Sequence, residues 1–293
     1  MTQGVIIRSL SGFYTISADG EQVMCKARGR FRHDGTTPLV GDRVTVSVDA
    51  KGNCRVDEIL PRKNRFIRPA VANIDQLVMF ASAINPVTDP FLIDRVCAIA
   101  ELNDCEPVVC INKTDLNAAD HLVSVYRNAG FQTVRTSAET GEGIDELLAV
   151  ISGKVNAFTG NSGVGKSSIL NRLCPQLALA TGEVSDKLGR GRHTTRHVEL
   201  FDLGHETYVA DTPGFASFEV DLIEPIRCED LQFAFRDFRP YIGNCRFQDC
   251  AHLKEPGCLV LDAVAAGKIA QQRHQSYARL YENAKSIPEW QKK

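Results

Sequence analysis

The chain has 293 residues, 43% of them apolar and 24% charged, and a net charge of −2. That balance fits a folded protein with ample core and excludes a disordered tail, a collagen-like repeat and a small disulfide-stapled scaffold. No apolar stretch approaches the roughly 20 residues of a membrane-crossing helix, and residues 1–8 lack the plan of a secretory signal. A cytoplasmic protein with no membrane partner is expected, and the length predicts two or three domains. The charge is uneven: the balance is +5 over 1–68, −10 over 69–225 and +3 over 226–293. Both basic ends are therefore possible polyanion-binding surfaces.

In chain order, β-rich runs at 5–8, 13–17, 22–27, 43–48 and 54–60 alternate with Gly, Asp and Asn turns. Five short strands with no helical period predict a small closed barrel of the oligonucleotide-binding (OB) type. Lys26, Arg28, Arg30, Phe31, Arg32 and His33 fall together, as an RNA-facing loop would require. The basic run 61–69, bounded by prolines, reads as a linker. Beyond it, strands at 76–82, 107–112, 133–137, 155–159, 198–201 and 208–211 alternate with helices at 91–102, 118–129, 143–151 and 166–173. Strand–helix alternation predicts a doubly wound, mainly parallel sheet. Helices are expected at 261–265 and 269–284, the latter carrying Arg273, His274 and Arg279. The expected domains are 1–68, 69–225 and 226–293.

The strongest motif is Gly160-Asn161-Ser162-Gly163-Val164-Gly165-Lys166-Ser167, followed by Ser168, between a predicted strand and a predicted helix. It fits the phosphate-binding loop G-x-x-x-x-G-K-[ST], in which backbone N–H groups cradle phosphate oxygens at a helix N-terminus. Lys166 would reach the β- and γ-phosphates and Ser167 would ligate Mg²⁺. The base is named by Asn112-Lys113-Thr114-Asp115 after a strand. Asp115 would accept the two N–H donors of guanine, Asn112 would tether the loop and approach the opposite base edge, and the Lys113 stem would cover the ring. Ser137-Ala138-Glu139, also after a strand, would offer backbone to the guanine oxygen. Downstream, Asp211-Thr212-Pro213-Gly214 would hold Mg²⁺ through Asp211 and sense the γ-phosphate through the Gly214 N–H. In the Gly- and Arg-rich segment 189–196, Thr194 or Thr195 would complete the Mg²⁺ shell, with Thr195 favoured. Such a loop can order around a triphosphate and release after hydrolysis.

The motif order is permuted. Base motifs precede phosphate motifs, the reverse of Ras-like GTPases, and close chain termini allow such a circular permutation without loss of fold. The expected fold class is therefore α/β: a circularly permuted P-loop GTPase domain flanked by an N-terminal five-stranded OB-type barrel and a C-terminal helical zinc-binding domain. The zinc ligands are Cys245, Cys250, His252 and Cys258, three thiolates and an imidazole within fourteen positions, with Cys228 as a possible substitute. The remaining cysteines, Cys25 and Cys54 among them, read as small buried thiols rather than disulfides.

Permuted order, barrel and C-x4-C-x-H-x5-C knuckle together resemble the ribosome small subunit-dependent GTPase A family over essentially the whole chain. The resemblance implies GTP hydrolysis to GDP stimulated by the 30S ribosomal subunit, a role in late 30S maturation, and contacts of both flanking domains with 16S rRNA. Phe215 stands where Ras-like proteins carry the water-orienting glutamine, so a slow intrinsic rate is expected. His193, in the first-switch loop, is the candidate for positioning the attacking water. The alternatives are a GTP-dependent RNA-binding switch with another target, and an ATPase acting on RNA, which Asn112–Asp115 disfavours. No heptad pattern suggests a dimer, so a monomer is expected.

Overall fold

The computed structural model describes residues 2–18, 20–29, 31, 35–49, 52–67, 70–175, 198–211 and 226–286. The first five strands are β1 (Thr2–Leu10), β2 (Phe13–Ala18), β3 (Glu21–Ala27), β4 (Arg43–Val48) and β5 (Cys54–Ile59). They close in the order β1-β2-β3-β5-β4-β1, antiparallel except for the short β3–β5 seam. Period-two alternation packs Ile6, Tyr14, Ile16, Val44, Val46 and Val56 inside. The expected barrel is thus present.

Two local expectations in the barrel are corrected. Cys25 and Cys54, directly opposite on β3 and β5, form a disulfide rather than lying as separate thiols. Phe31 is buried in the core and presents no stacking face, while Arg28 is paired with Asp57 (2.6 Å). Among the described barrel residues the exposed aromatic is Phe13, with the Lys26 ammonium 4.8 Å from its ring centre. Arg30, Arg32 and His33 lie outside the described residues.

Over its described residues, 61–67, the basic run read as a linker forms a packed seam. β6 (Arg65–Phe66) pairs with β7 (Val71–Ala72), and Arg62 grips the fully buried Asp42 with two bonds of 2.7 Å. The bond to Asp42 holds the Arg62 pKa above the ordinary arginine value. Asn64 ties Ile74 and Asn103 to the same seam.

The second lobe is built on β8 (Gln76–Ser82), β9 (Glu106–Asn112), β10 (Gln132–Arg135), β11 (Val155–Thr159), β12 (Glu199–Asp202) and β13 (Tyr208–Asp211). Their order is β10-β9-β8-β11-β13-β12, parallel except for β12, which also pairs with β1 of the barrel. β8 is buried along its whole length, as a strand covered on both faces must be. Leu77, Met79 and Ala81 pack with helices α1 (Pro90–Leu102) and α2 (Asp120–Asn128), whereas Val78 and Phe80 pack with α3 (Ile144–Ile151) and α4 (Lys166–Leu173). Asp89 starts α1 by accepting the Phe91 N–H (2.9 Å), with Pro90 in the first turn. Because the strands run parallel, the ends of β8, β9, β10, β11 and β13 share one edge, where open α/β sheets bind ligands.

The third lobe holds α5 (Cys228–Leu231), 3₁₀ turns at Gln232–Ala234 and Arg236–Phe238, α6 (Leu259–Ala265) and α7 (Gln271–Lys285). α6 and α7 begin within two residues of the expected positions, whereas α5 was not expected. The basic tail is not a free polyanion surface throughout. Arg273 is buried between Asp94 of α1 (2.6 Å) and Asp237 (2.8 Å), and Arg236 and Arg239 both bind Glu101.

Candidate nucleotide site and metal centre

The phosphate loop leaves β11 at Gly160 and enters α4 at Lys166. Its shape requires glycine at two places. A Cβ on Gly160 (φ +137°) would lie 2.3 Å from the Phe80 carbonyl, and one on Gly165 (φ +98°) would lie 2.2 Å from Asn112 Nδ2. The Lys166 ammonium folds back across the loop, donating to the carbonyls of Gly160 (2.6 Å) and Asn161 (2.8 Å). Ser167 and Ser168 follow in the first turn of α4.

Asn112, at the end of β9, joins this loop to the base-reading segments. Its Nδ2 donates to the Val164 carbonyl (2.8 Å), and its Oδ1 accepts from Thr136 Oγ1 (3.2 Å) and the Ala138 N–H (3.3 Å). Asn112 is buried, so these bonds are not traded against water, and removing them would leave polar groups unpaired. Thr114 binds the Thr136 carbonyl through Oγ1 (2.9 Å) and its N–H (3.2 Å). Segments 112–115, 136–142 and 160–167 thus form one connected rim. Lys113 (φ +65°) is swung over, and its ammonium meets the Asn85 carbonyl. Pro86 lies near the phosphate loop, its Cδ 3.4 Å from where a Cβ on Gly163 would be. This 83–88 loop was not read from the sequence as part of the site; its only local signal is the turn-forming Asn85-Pro86 pair.

Asp211 ends β13, its backbone paired with Phe158 and Glu199, on the same edge. His193, Thr195 and Gly214 lie outside the described residues.

In the third lobe, Cys245 Sγ, Cys250 Sγ, Cys258 Sγ and a ring nitrogen of His252 lie within 4.8 Å of one another. His252 Nδ1 is 3.6 Å from Cys245 Sγ and 3.4 Å from Cys258 Sγ, and those two sulfurs are 4.0 Å apart. A tetrahedron with metal–sulfur bonds of about 2.3 Å and metal–nitrogen bonds of about 2.0 Å places its ligands about 3.5–3.8 Å apart, so this set fits such a metal. Gln232 Oε1 lies 3.0 Å from His252 Nε2 and can accept its proton, leaving Nδ1 as the ligand. Burial lowers the His252 pKa and keeps the ring neutral, the ligating form. Cys228 is not in the cluster; its thiol faces the Tyr281 carbonyl at 3.8 Å.

Two family profiles match the chain, the RsgA N-terminal domain over residues 3–56 and the RsgA GTPase over residues 59–221. The chain belongs to the RsgA GTPase family. A curated relative from Caldanaerobacter subterraneus subsp. tengcongensis, named small ribosomal subunit biogenesis GTPase RsgA, is 44% identical over 97% of this chain and 96% of its own. One of the same name from Geobacillus thermodenitrificans is 42% identical, covering 94% and 95%. Among solved structures, YjeQ from Thermotoga maritima superposes with a TM-score of 0.83 at 35% identity, covering 98% of this chain and 99% of that one. YloQ, described as a circularly permuted GTPase, gives 0.81 at 35% identity, covering 98% and 97%. The protein is a GTPase of this family, and its fold is the permuted one expected from motif order. No described helix is long and apolar enough to cross a membrane.

Proposed function

We infer that the protein hydrolyses GTP on the small ribosomal subunit and acts in the biogenesis of that subunit. One observation carries the site assignment: the Asn112 side chain bonds the Val164 carbonyl, fastening a guanine-reading loop to a phosphate-binding loop about fifty residues later. The phosphates sit on the amides of Gly160, Asn161, Ser162, Gly163, Val164 and Gly165, with Lys166, Ser167 and Ser168 at the helix start. The glycine-only cradle is what close backbone approach to phosphate demands. On triphosphate binding, Lys166 exchanges two carbonyls of its own loop for phosphate oxygens. Asp115 accepts the guanine N–H donors, Lys113 covers the ring, and the turn at Ser137 and Ala138 borders the base oxygen. Ser167, Thr195 and Asp211 would hold Mg²⁺, which neutralises charge on the phosphates. Lys166 and the loop amides, with the Gly214 N–H, stabilise the charge that develops on transfer of the phosphoryl group to water. His193 and Thr195 complete the site from the first-switch segment, His193 positioning the water.

The Cys245–Cys250–His252–Cys258 set would hold one structural Zn²⁺, with no open position for chemistry. The domains are 1–68, 69–225 and 226–293, and the protein acts as a cytoplasmic monomer whose two flanking domains meet 16S rRNA. Both close relatives carry names that place them in small-subunit biogenesis. Co-sedimentation with purified 30S, 50S and 70S particles, using a non-hydrolysable GTP analogue, tests the reading. Selective 30S binding, with GTP turnover raised by 30S particles, is expected. Equal binding to 50S particles, or RNA binding without stimulated turnover, would favour a GTP-dependent RNA switch with another target.

A further inference from the structure

The turn after β10 is held from behind by a residue outside every nucleotide motif. Arg172, in the last turn of α4, donates from Nε to the Ala138 carbonyl (2.8 Å) and from a terminal nitrogen to the Glu139 carbonyl (2.7 Å). The same eight-residue helix opens with Lys166 and Ser167, so it connects the phosphate loop directly to the base-bordering turn. Arg172 is exposed, and the two bonds give a surface side chain a fixed orientation.

The amides of the turn can be followed one by one. Ser137 N–H donates to the Glu142 carbonyl, Thr140 N–H to Ser137 Oγ, Gly141 N–H to the Ser137 carbonyl and Glu142 N–H to Thr140 Oγ1. Ala138 N–H is taken by Asn112 Oδ1. Glu139 N–H has no acceptor among the described residues. In a trans peptide the carbonyl of one residue and the N–H of the next point in opposite directions. Because the Ala138 carbonyl is turned to Arg172, the Glu139 N–H faces away from it. An outward, unused amide beside the Asn112–Asp115 loop suits an acceptor oxygen. Guanine offers O6 there, where adenine carries a donor amino group.

We propose that Arg172 is a positioning residue for guanine selection: by pinning the Ala138 and Glu139 carbonyls it fixes the Glu139 N–H as the donor to guanine O6. This rests on the guanine pocket proposed above. Release of the two carbonyls lets the 138–139 peptide rotate, and the donor loses its direction.

Affinities for GDP, 6-thio-GDP and XDP test this in the wild type and in Arg172→Met and Arg172→Lys. Sulfur is the weaker acceptor at position 6, whereas xanthine alters only the edge that Asp115 reads. Arg172→Met is expected to weaken GDP about tenfold and 6-thio-GDP much less, so that their ratio falls towards one. The preference for GDP over XDP should not change, and Arg172→Lys, which keeps a single donor nitrogen in place of the fork, should recover part of the loss. Equal losses for GDP and 6-thio-GDP would reduce Arg172 to a structural prop, and unchanged GDP affinity would remove its role altogether. A wild-type protein that bound no GDP would instead overturn the pocket itself.

Discussion

Gly165 stands where the phosphate loop becomes α4, at a φ that L side chains rarely adopt and with Asn112 Nδ2 filling the place of a Cβ. Gly165→Ala would add about 1–2 kcal/mol of backbone strain and displace a buried amide whose lost bonds cost about 1–3 kcal/mol. The expected result is a loss of guanine-nucleotide affinity of about a hundredfold, read by titration with fluorescent GDP. Wild-type affinity would mean that Asn112 can move without consequence. The glycine spacing was legible in the sequence because it is local. The tether was legible only in part: Asn112 was expected to hold its loop, but its partner Val164 lies 52 residues away and follows from the sheet bringing β9 and β11 to one edge. Arg172 gave no signal at all, since a basic residue in the last turn of a helix is ordinary.

At the scale of an element, the cysteine–histidine knuckle was legible for the opposite reason, its ligands lying within fourteen positions. Its surroundings add a prediction. Burial pushes the Cys250 thiol up to about 12 and the Cys258 thiol above its ordinary value, while it keeps His252 neutral. A raised thiol pKa means that the metal-free fold favours the protonated form, which is complete at neutral pH and is lost only as pH rises. Zinc must therefore expel at least two protons, and His252 contributes none. Affinity should rise about tenfold per pH unit for each proton released, hence by at least about a hundredfold per pH unit near neutrality. Competition against a chromophoric chelator at two pH values measures this, and a pH-independent affinity would exclude thiolate ligation. The Cys25–Cys54 bond, by contrast, was misread. Composition argued for thiols, and the register that sets the two residues opposite one another comes from barrel closure across 29 residues.

At the scale of the whole molecule, the joints between lobes were the least legible feature, because each brings together residues far apart in the chain, and the joint of the third lobe is a pairing of distant charges. Arg273 reads from sequence as one basic residue on an amphipathic helix; its carboxylate partners lie 36 and 179 residues away. Its guanidinium also rests over the rings of Phe235 (4.6 Å) and Phe131 (5.0 Å), so it is covered on every side. Burial opposes its charge, yet Asp94 and Asp237 together hold its pKa above the ordinary arginine value. The same burial pushes the Asp94 carboxyl upwards against the pull of Arg273. Such a triad contributes little net stability over an apolar replacement, but breaking it from one side leaves buried charge uncompensated. Arg273→Met should therefore cost about 3–5 kcal/mol and loosen the third lobe from α1, with faster hydrogen exchange along α7. Adding Asp94→Asn and Asp237→Asn to the same chain removes the stranded charges, and most of the loss should return. Denaturant unfolding of the single and triple variants decides the matter. If the triple variant were no more stable than Arg273→Met alone, the joint would depend on the packing of the arginine against Phe235 and Phe131 rather than on its charge.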